Sequence, residues 1–203
     1  MINLFGTVTS PYVRRVRVVA QELGLDLELV DVFTEQGRAA LAEVSPIWKV
    51  PAAEVDGQLV FDSRVIVDHL LRVHGGDAEL RPIDPADLDA TNVVTVIDGA
   101  LDALINVFYL GRDGIEPSAS KYVAKQVDRA RSAMEWLETR VDDVWLSGSR
   151  RFGLPELALC TTMDWMRFRD TYEIDQHPGL KRCFDHHRVR ESLAATAPPD
   201  AMR

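Results

Sequence analysis

The side chains best placed for chemistry are hydroxyls at the starts of helix-like patterns. In "TSPYVRRV", from Thr9 to Val16, a Ser-Pro pair stands between an apolar run, "INLFGTV", and apolar residues at helical spacing. Ser10 there is either an N-cap or a hydroxyl presented to a substrate. Asp62 and Ser63 of "FDSRVIVDHL" stand in the same way before a second apolar-periodic stretch. Other chemistries find little support. Cys160 and Cys183 are far apart, form no CxxC or zinc spacing, and read as small core residues. His177 and the adjacent His186 and His187 read as surface positions, because neighbouring helical residues point in different directions; no metal ligand set is expected. There is no Gly-rich phosphate loop, Walker motif or nucleophile elbow.

These hydroxyls need elements to hold them. "INLF" reads as a strand. Pro11 fits the first helical position after a Ser10 cap, and Val13, Val16, Val19, Ala20 and Leu23 recur at helical spacing up to Gly24. Residues 27–32, "LELVDV", form a second strand, and a short helical or irregular stretch follows through Ala39 and Leu41. Residues 50–55 and 58–61 flank Asp56-Gly57, a strong hairpin signal. A helix capped by Asp62 or Ser63 presents Val65, Ile66, His69, Leu70 and Val73 on one face and ends at Gly75-Gly76. The order β-α-β-α-β-β-α, with a right-handed crossover and an antiparallel hairpin, is a small α/β sandwich of the thioredoxin type. Pro82 and Pro85 mark a linker. Beyond it no strand is evident. Residues 88–110, 122–144, 157–172 and 180–189 carry apolar residues at three- and four-residue spacing, which predicts a helical bundle. The expected division is an α/β domain at 1–76, a linker at 77–86 and an all-α domain at 87–203, whose tail from Ala194 is loose.

A chain of 203 residues is long enough to bury a real core. Its formal net charge of −9 disfavours nucleic acid and anionic membranes as partners. Arg14, Arg15 and Arg17 are the densest basic group and read as a solvated helix face. The two separated cysteines suit a reducing compartment. No secretory signal pattern opens the chain, and no uninterrupted apolar window reaches the length of a membrane span, so the expected location is cytoplasmic.

Four stretches, "TSPYVRRV", "SPIWKVP", "FDSRVIVDHL" and the helical second half ending in "HPGLKRCFDHHRVRES", together resemble the cytosolic glutathione transferase superfamily. The first-domain motifs fall in that family's order and spacing. The resemblance over the helical half is mainly one of helix count. It implies glutathione as cosubstrate, a small apolar electrophile as second substrate, and a homodimer. It implies that Val50, before a cis Pro51, pairs its backbone with the tripeptide like an added strand. Ser63 and the free N–H groups of its helix would take the γ-glutamyl carboxylate, Asp62 the ammonium end and Lys49 the glycyl carboxylate. Ser10, or Thr9 beside it, would donate to the thiolate, which the helix dipole also favours. Each of these residues has a plainer reading, as cap, strand-start proline or solvated lysine.

Two departures from the family pattern stand out. Trp48 occupies a place where glycine is expected, and "FGLPELAL" has Gly153 and Glu156 where a Ser/Thr-x-x-Asp cap is usual; the helix there is expected to survive. Phe108, Tyr109 and Trp165 either line an apolar second-substrate pocket or are plain core. The expected function is a glutathione transferase. The alternatives are a glutathione-dependent isomerase or dehalogenase, and a non-catalytic relative that binds proteins.

Overall fold

The structure is a computed structural model that describes residues 1–146 and 148–202. The chain forms two compact units. One comprises residues 1–82 together with 190–202, the other residues 83–189.

The first unit is thioredoxin-like. Its elements are β1 (Ile2–Gly6), α1 (Pro11–Glu22), β2 (Leu27–Asp31), α2 (Glu35–Val44), β3 (Ala52–Val55), β4 (Gln58–Phe61) and α3 (Ser63–His74). The sheet order is β2-β1-β3-β4. β1 and β2 run parallel, and β3 is antiparallel to both β1 and β4. The crossover helix α1 packs against α3. Val13, Val16 and Val19 of α1 and Ile66 and Leu70 of α3 are fully buried, as the helical spacing requires. The apolar face of α3 is turned from its expected position. Ile66, Val67, Leu70 and Leu71 are buried while Val65 and Val73 are exposed, because the helix meets the core through adjacent pairs four residues apart.

A larger correction concerns the arginines of α1. Arg14 is 2% exposed and Arg15 is also buried. Arg14 donates to the Leu193 carbonyl at 2.8 Å and to Thr196 Oγ1 at 3.3 Å. Those acceptors come from residues 193 and 196, so the tail expected to be loose from Ala194 is anchored at least at Thr196. The short α8 (Glu191–Ala195) packs on α1, and Leu193 and Thr196 are fully buried. Arg190 holds Glu22 of α1 through two hydrogen bonds of 2.7 Å, and the Ser192 hydroxyl donates to the same carboxylate.

The second unit is helical: α4 (Leu88–Arg112), α5 (Lys121–Glu138), α6 (Leu154–Arg169) and α7 (Pro178–His187), with α4 packed on α5 and α6, and α6 on α7. α4 is long and apolar enough to cross a membrane by length and composition. Its Ile97, Ala100, Leu101 and Leu104 are instead buried in the bundle. α5 stops at Glu138, short of the expected 144, and a lone antiparallel bridge joins Asp142 to Trp145. Glu138 caps another helix: its carboxylate accepts the Gly179 and Leu180 N–H groups of α7 at 2.7 and 2.8 Å. A Cβ at Gly179 would stand 2.8 Å from that carboxylate, so a larger residue there would push the Glu138 cap aside. Gly153 is the N-cap of α6, as expected, and the Glu156 carboxylate accepts the Gly153 and Leu146 N–H groups, each at 2.9 Å.

Cys160 and Cys183 are both buried, and burial pushes the Cys183 thiol up to about 12. His177 and His187 are not surface residues. His177 is stacked on Tyr172 and bonded to its hydroxyl at 2.8 Å, and burial lowers its pKa. His187 is buried with Nε2 2.9 Å from the Val144 carbonyl.

Candidate functional site

Strand register brings three sequence-distant loops to one end of the sheet. Phe5 of β1 lies opposite Ala52 of β3, and Ala52 lies opposite Phe61 of β4. β1 exits at that row, β3 enters at it, and β4 exits at it. The loop carrying Thr9 and Ser10, the Val50-Pro51 pair and the Asp62-Ser63 pair therefore leave the same edge of the sheet. Phe5, Ala52 and Leu41 form a small apolar cluster there, with Val50 and Phe61 packed against it.

At the first loop, Gly6 lets β1 pass close to α1: a Cβ there would fall 2.4 Å from Val13 Cγ2. The chain then turns, with Ser10 N–H donating to the Thr7 carbonyl at 3.2 Å. Ser10 is the N-cap of α1, and its Oγ accepts the Val13 N–H at 3.3 Å. A serine hydroxyl has one donor and two acceptor sites, so this bond leaves its O–H available. Thr9 is buried, and its hydroxyl is 3.3 Å from that of Thr7. Thr7 was not singled out in the sequence. A hydroxyl two residues before another, on a tight turn, is the signal it offered.

At the second loop the Val50–Pro51 peptide is cis. Val50 is half-buried, Pro51 buried and Lys49 exposed. Trp48 is 74% exposed and has φ 50°, the left-handed conformation that favours glycine. The loop therefore requires a left-handed residue at this place, and tryptophan bears the steric cost.

At the third loop Asp62 caps α3, its Oδ1 accepting the Arg64 and Val65 N–H groups at 2.9 and 3.3 Å. Asp62 has φ 31°, again outside the ordinary range for a residue with a Cβ. Ser63, the first residue of α3, is buried. The helix N-terminus here is thus shaped by a carboxylate cap, with the Ser63 N–H and hydroxyl beside it.

In the second unit the aromatic residues singled out in the sequence do come together. Phe108 meets Trp165 edge-on at 5.8 Å and Tyr109 at 5.4 Å, and the Arg169 guanidinium lies 5.3 Å from the Phe108 ring. Trp165 is buried and Tyr109 exposed. Burial lowers the Arg169 pKa.

Residues 4–89 match the family described as Glutathione S-transferase, N-terminal domain. The chain is 26% identical to the uncharacterized GST-like protein YibF of Escherichia coli over 98% of its own length and all of that protein's. Among solved structures it is similar to a glutathione S-transferase from Methylobacillus flagellatus with glutathione bound. The TM-score is 0.84 and the identity 25%, over 98% of this chain and all of that one. A glutathione transferase family member from Pseudomonas fluorescens, also with bound glutathione, gives a TM-score of 0.82 and 27% identity over the same shares. The first unit thus matches a glutathione S-transferase N-terminal domain, and the whole chain is similar in fold to glutathione transferases.

Proposed function

We propose that this protein is a glutathione transferase that activates the thiol of bound glutathione for attack on small apolar electrophiles. The supporting observation is the row Phe5–Ala52–Phe61, which gathers Ser10, Val50-Pro51 and Asp62-Ser63 at one sheet edge. Glutathione bound in the Methylobacillus and Pseudomonas neighbours supports the ligand. In this reading Val50 offers its backbone to the cysteinyl residue. The Ser63 N–H and hydroxyl hold the γ-glutamyl carboxylate at a helix N-terminus, where anions are favoured. Lys49, exposed and unconfined, reaches the glycyl carboxylate, and Asp62 lies near the ammonium group.

Ser10 donates to the sulfur. The thiol releases its proton to solvent, the hydroxyl and the α1 dipole stabilise the thiolate, and the thiolate forms the S–C bond as the electrophile's leaving group departs. Thr9 is the weaker candidate, because its hydroxyl is buried against Thr7. Phe108, Tyr109 and Trp165 are proposed for the apolar substrate. The protein is taken to act as a homodimer, as the resemblance implies, and in a reducing compartment such as the cytoplasm, as its two separated cysteines suggest.

Two measurements test this. Calorimetry with glutathione should show binding and a raised melting temperature through linkage. Absence of both at millimolar glutathione would leave the protein-binding alternative. Turnover of an activated aryl halide should then be detectable; binding without any turnover would favour the isomerase or dehalogenase reading.

A further inference from the structure

The β3–β4 turn and the C-terminal half of α3 bring three metal-ligating side chains together, at the far end of α3 from Ser63. Asp56 stands in the hairpin turn with φ 52°, followed by Gly57 at φ 75°, the two left-handed residues of a tight two-residue hairpin. His69 lies within α3 and His74 is its last residue. Asp56 Oδ2 is 3.1 Å from His74 Nε2 and 3.6 Å from His69 Nε2. One ligand atom from each of the three residues lies within 4.8 Å of the other two.

We propose that Asp56, His69 and His74 bind a borderline divalent transition-metal ion, for which zinc is the reference. Geometry is the first reason. With zinc–nitrogen and zinc–oxygen bonds near 2.0–2.2 Å, neighbouring ligands of a tetrahedral ion stand about 3.4 Å apart. The two measured separations fall on either side of that value, so small side-chain rotations suffice. The second reason is an unmet polar atom. His69 Nε2 is buried and has no hydrogen-bond partner among the described residues. At 3.6 Å the Asp56 carboxylate is too distant to be one. Buried polar groups are rarely left so, because the lost solvation is uncompensated. A shared ion would satisfy both imidazoles and the carboxylate at once.

Ligand type sets the choice of ion. Two imidazole nitrogens and one carboxylate oxygen suit zinc, cobalt, nickel or copper, and not magnesium or calcium, which take oxygen sets. Three protein ligands leave a position for water. The site opens to solvent, since the side chains of Asp56, His69 and His74 are 53%, 33% and 28% exposed. The helix end is fixed beside it: a Cβ at Gly75 would fall 2.2 Å from the Leu71 carbonyl, so glycine is required just after His74. At 1.5 Å per residue, Ser63 and His74 are about 16 Å apart along the axis. The ion would therefore tie the hairpin to α3 and take no part in thiol chemistry.

The experiment uses untagged full-length protein stripped with a chelator. Zinc should bind with one-to-one stoichiometry by calorimetry and raise the melting temperature, and cobalt should give visible d–d absorption. Millimolar magnesium or calcium should do neither. His69→Ala, His74→Ala and Asp56→Asn should each weaken zinc binding at least tenfold; asparagine keeps the turn, because it tolerates the left-handed conformation. Circular dichroism and melting of the metal-free variants establish that they fold. A wild-type protein that shows no zinc binding overturns the proposal. So does one whose zinc affinity survives in folded Asp56→Asn and His74→Ala, or is lost in His186→Ala instead.

Discussion

Thr7 and Thr9 bring their hydroxyl oxygens within 3.3 Å of each other and are both buried, so Thr9 spends its hydroxyl inside the loop that Ser10 terminates. Two adjacent hydroxyls are thereby given different environments by one tight turn. Ser10→Ala is expected to lower conjugation by roughly ten- to a thousandfold, as losing one donor to a developing anion does elsewhere. Glutathione affinity should hardly change, and the ultraviolet thiolate band should titrate at higher pH. The lost cap alone costs about 1 kcal/mol of stability without touching the thiol. Thr9→Ala is the control. It should retain the thiolate titration of the parent and lose stability instead.

Ser63→Ala should weaken glutathione binding by roughly 1–3 kcal/mol, the cost of a hydrogen bond to a charged group. Calorimetry checks this directly. Stability should fall little, because the α3 cap is Asp62 and its bonds to Arg64 and Val65 remain. Unchanged affinity would move the carboxylate to another part of the protein.

Trp48→Gly should stabilise the protein by about 0.5–1 kcal/mol. A left-handed residue with a side chain costs roughly 1–2 kcal/mol, partly offset by the greater freedom of glycine in the unfolded chain. Little burial is lost at a ring 74% exposed. The urea midpoint should rise with the slope unchanged. A parallel glutathione titration reports whether the ring covers the peptide: affinity falls if it does.

Glu22 titrates below its ordinary value, chiefly through the Arg190 hydrogen bonds, with Ser192 assisting and burial opposing. Its folded pKa is thus lower than its unfolded one. The contribution is fully present above the unfolded value and disappears as pH falls through the folded one. Glu22→Gln should cost about 1–3 kcal/mol at neutral pH. The difference from wild type should shrink on the acid side of the ordinary carboxylate range. Urea unfolding of both proteins across that range tests it; a constant difference would refute the assignment.

What was legible in the sequence was whatever local spacing encodes. The Ser10-Pro11 start, the Asp56-Gly57 turn and the valine periodicity of α1 each depend on neighbours a few residues away, and the β-α-β-α-β-β-α order follows from them. Arg14 was misread because its acceptor is Leu193, and no local pattern announces a carbonyl that distant. His187 was misread for a similar reason, since its contact at Val144 lies beyond the end of α5. The Asp56, His69 and His74 cluster lies across a hairpin and a helix, so it has no motif spacing. At the candidate site the residue types were readable, and the common sheet edge was not, because register is a tertiary property.

The return of the chain end to α1 also bears on synthesis. A ribosome releases residues 1–82 first, and residues 190–196 only after the entire helical unit. At typical elongation rates of about 5–20 residues per second, that interval lasts roughly 5–20 s. Through it the nascent first unit carries the Arg14 guanidinium without the Leu193 carbonyl and the apolar side of α1 without Leu193. The side of α1 that residues 190–196 cover is therefore sealed only after the helical unit has been made.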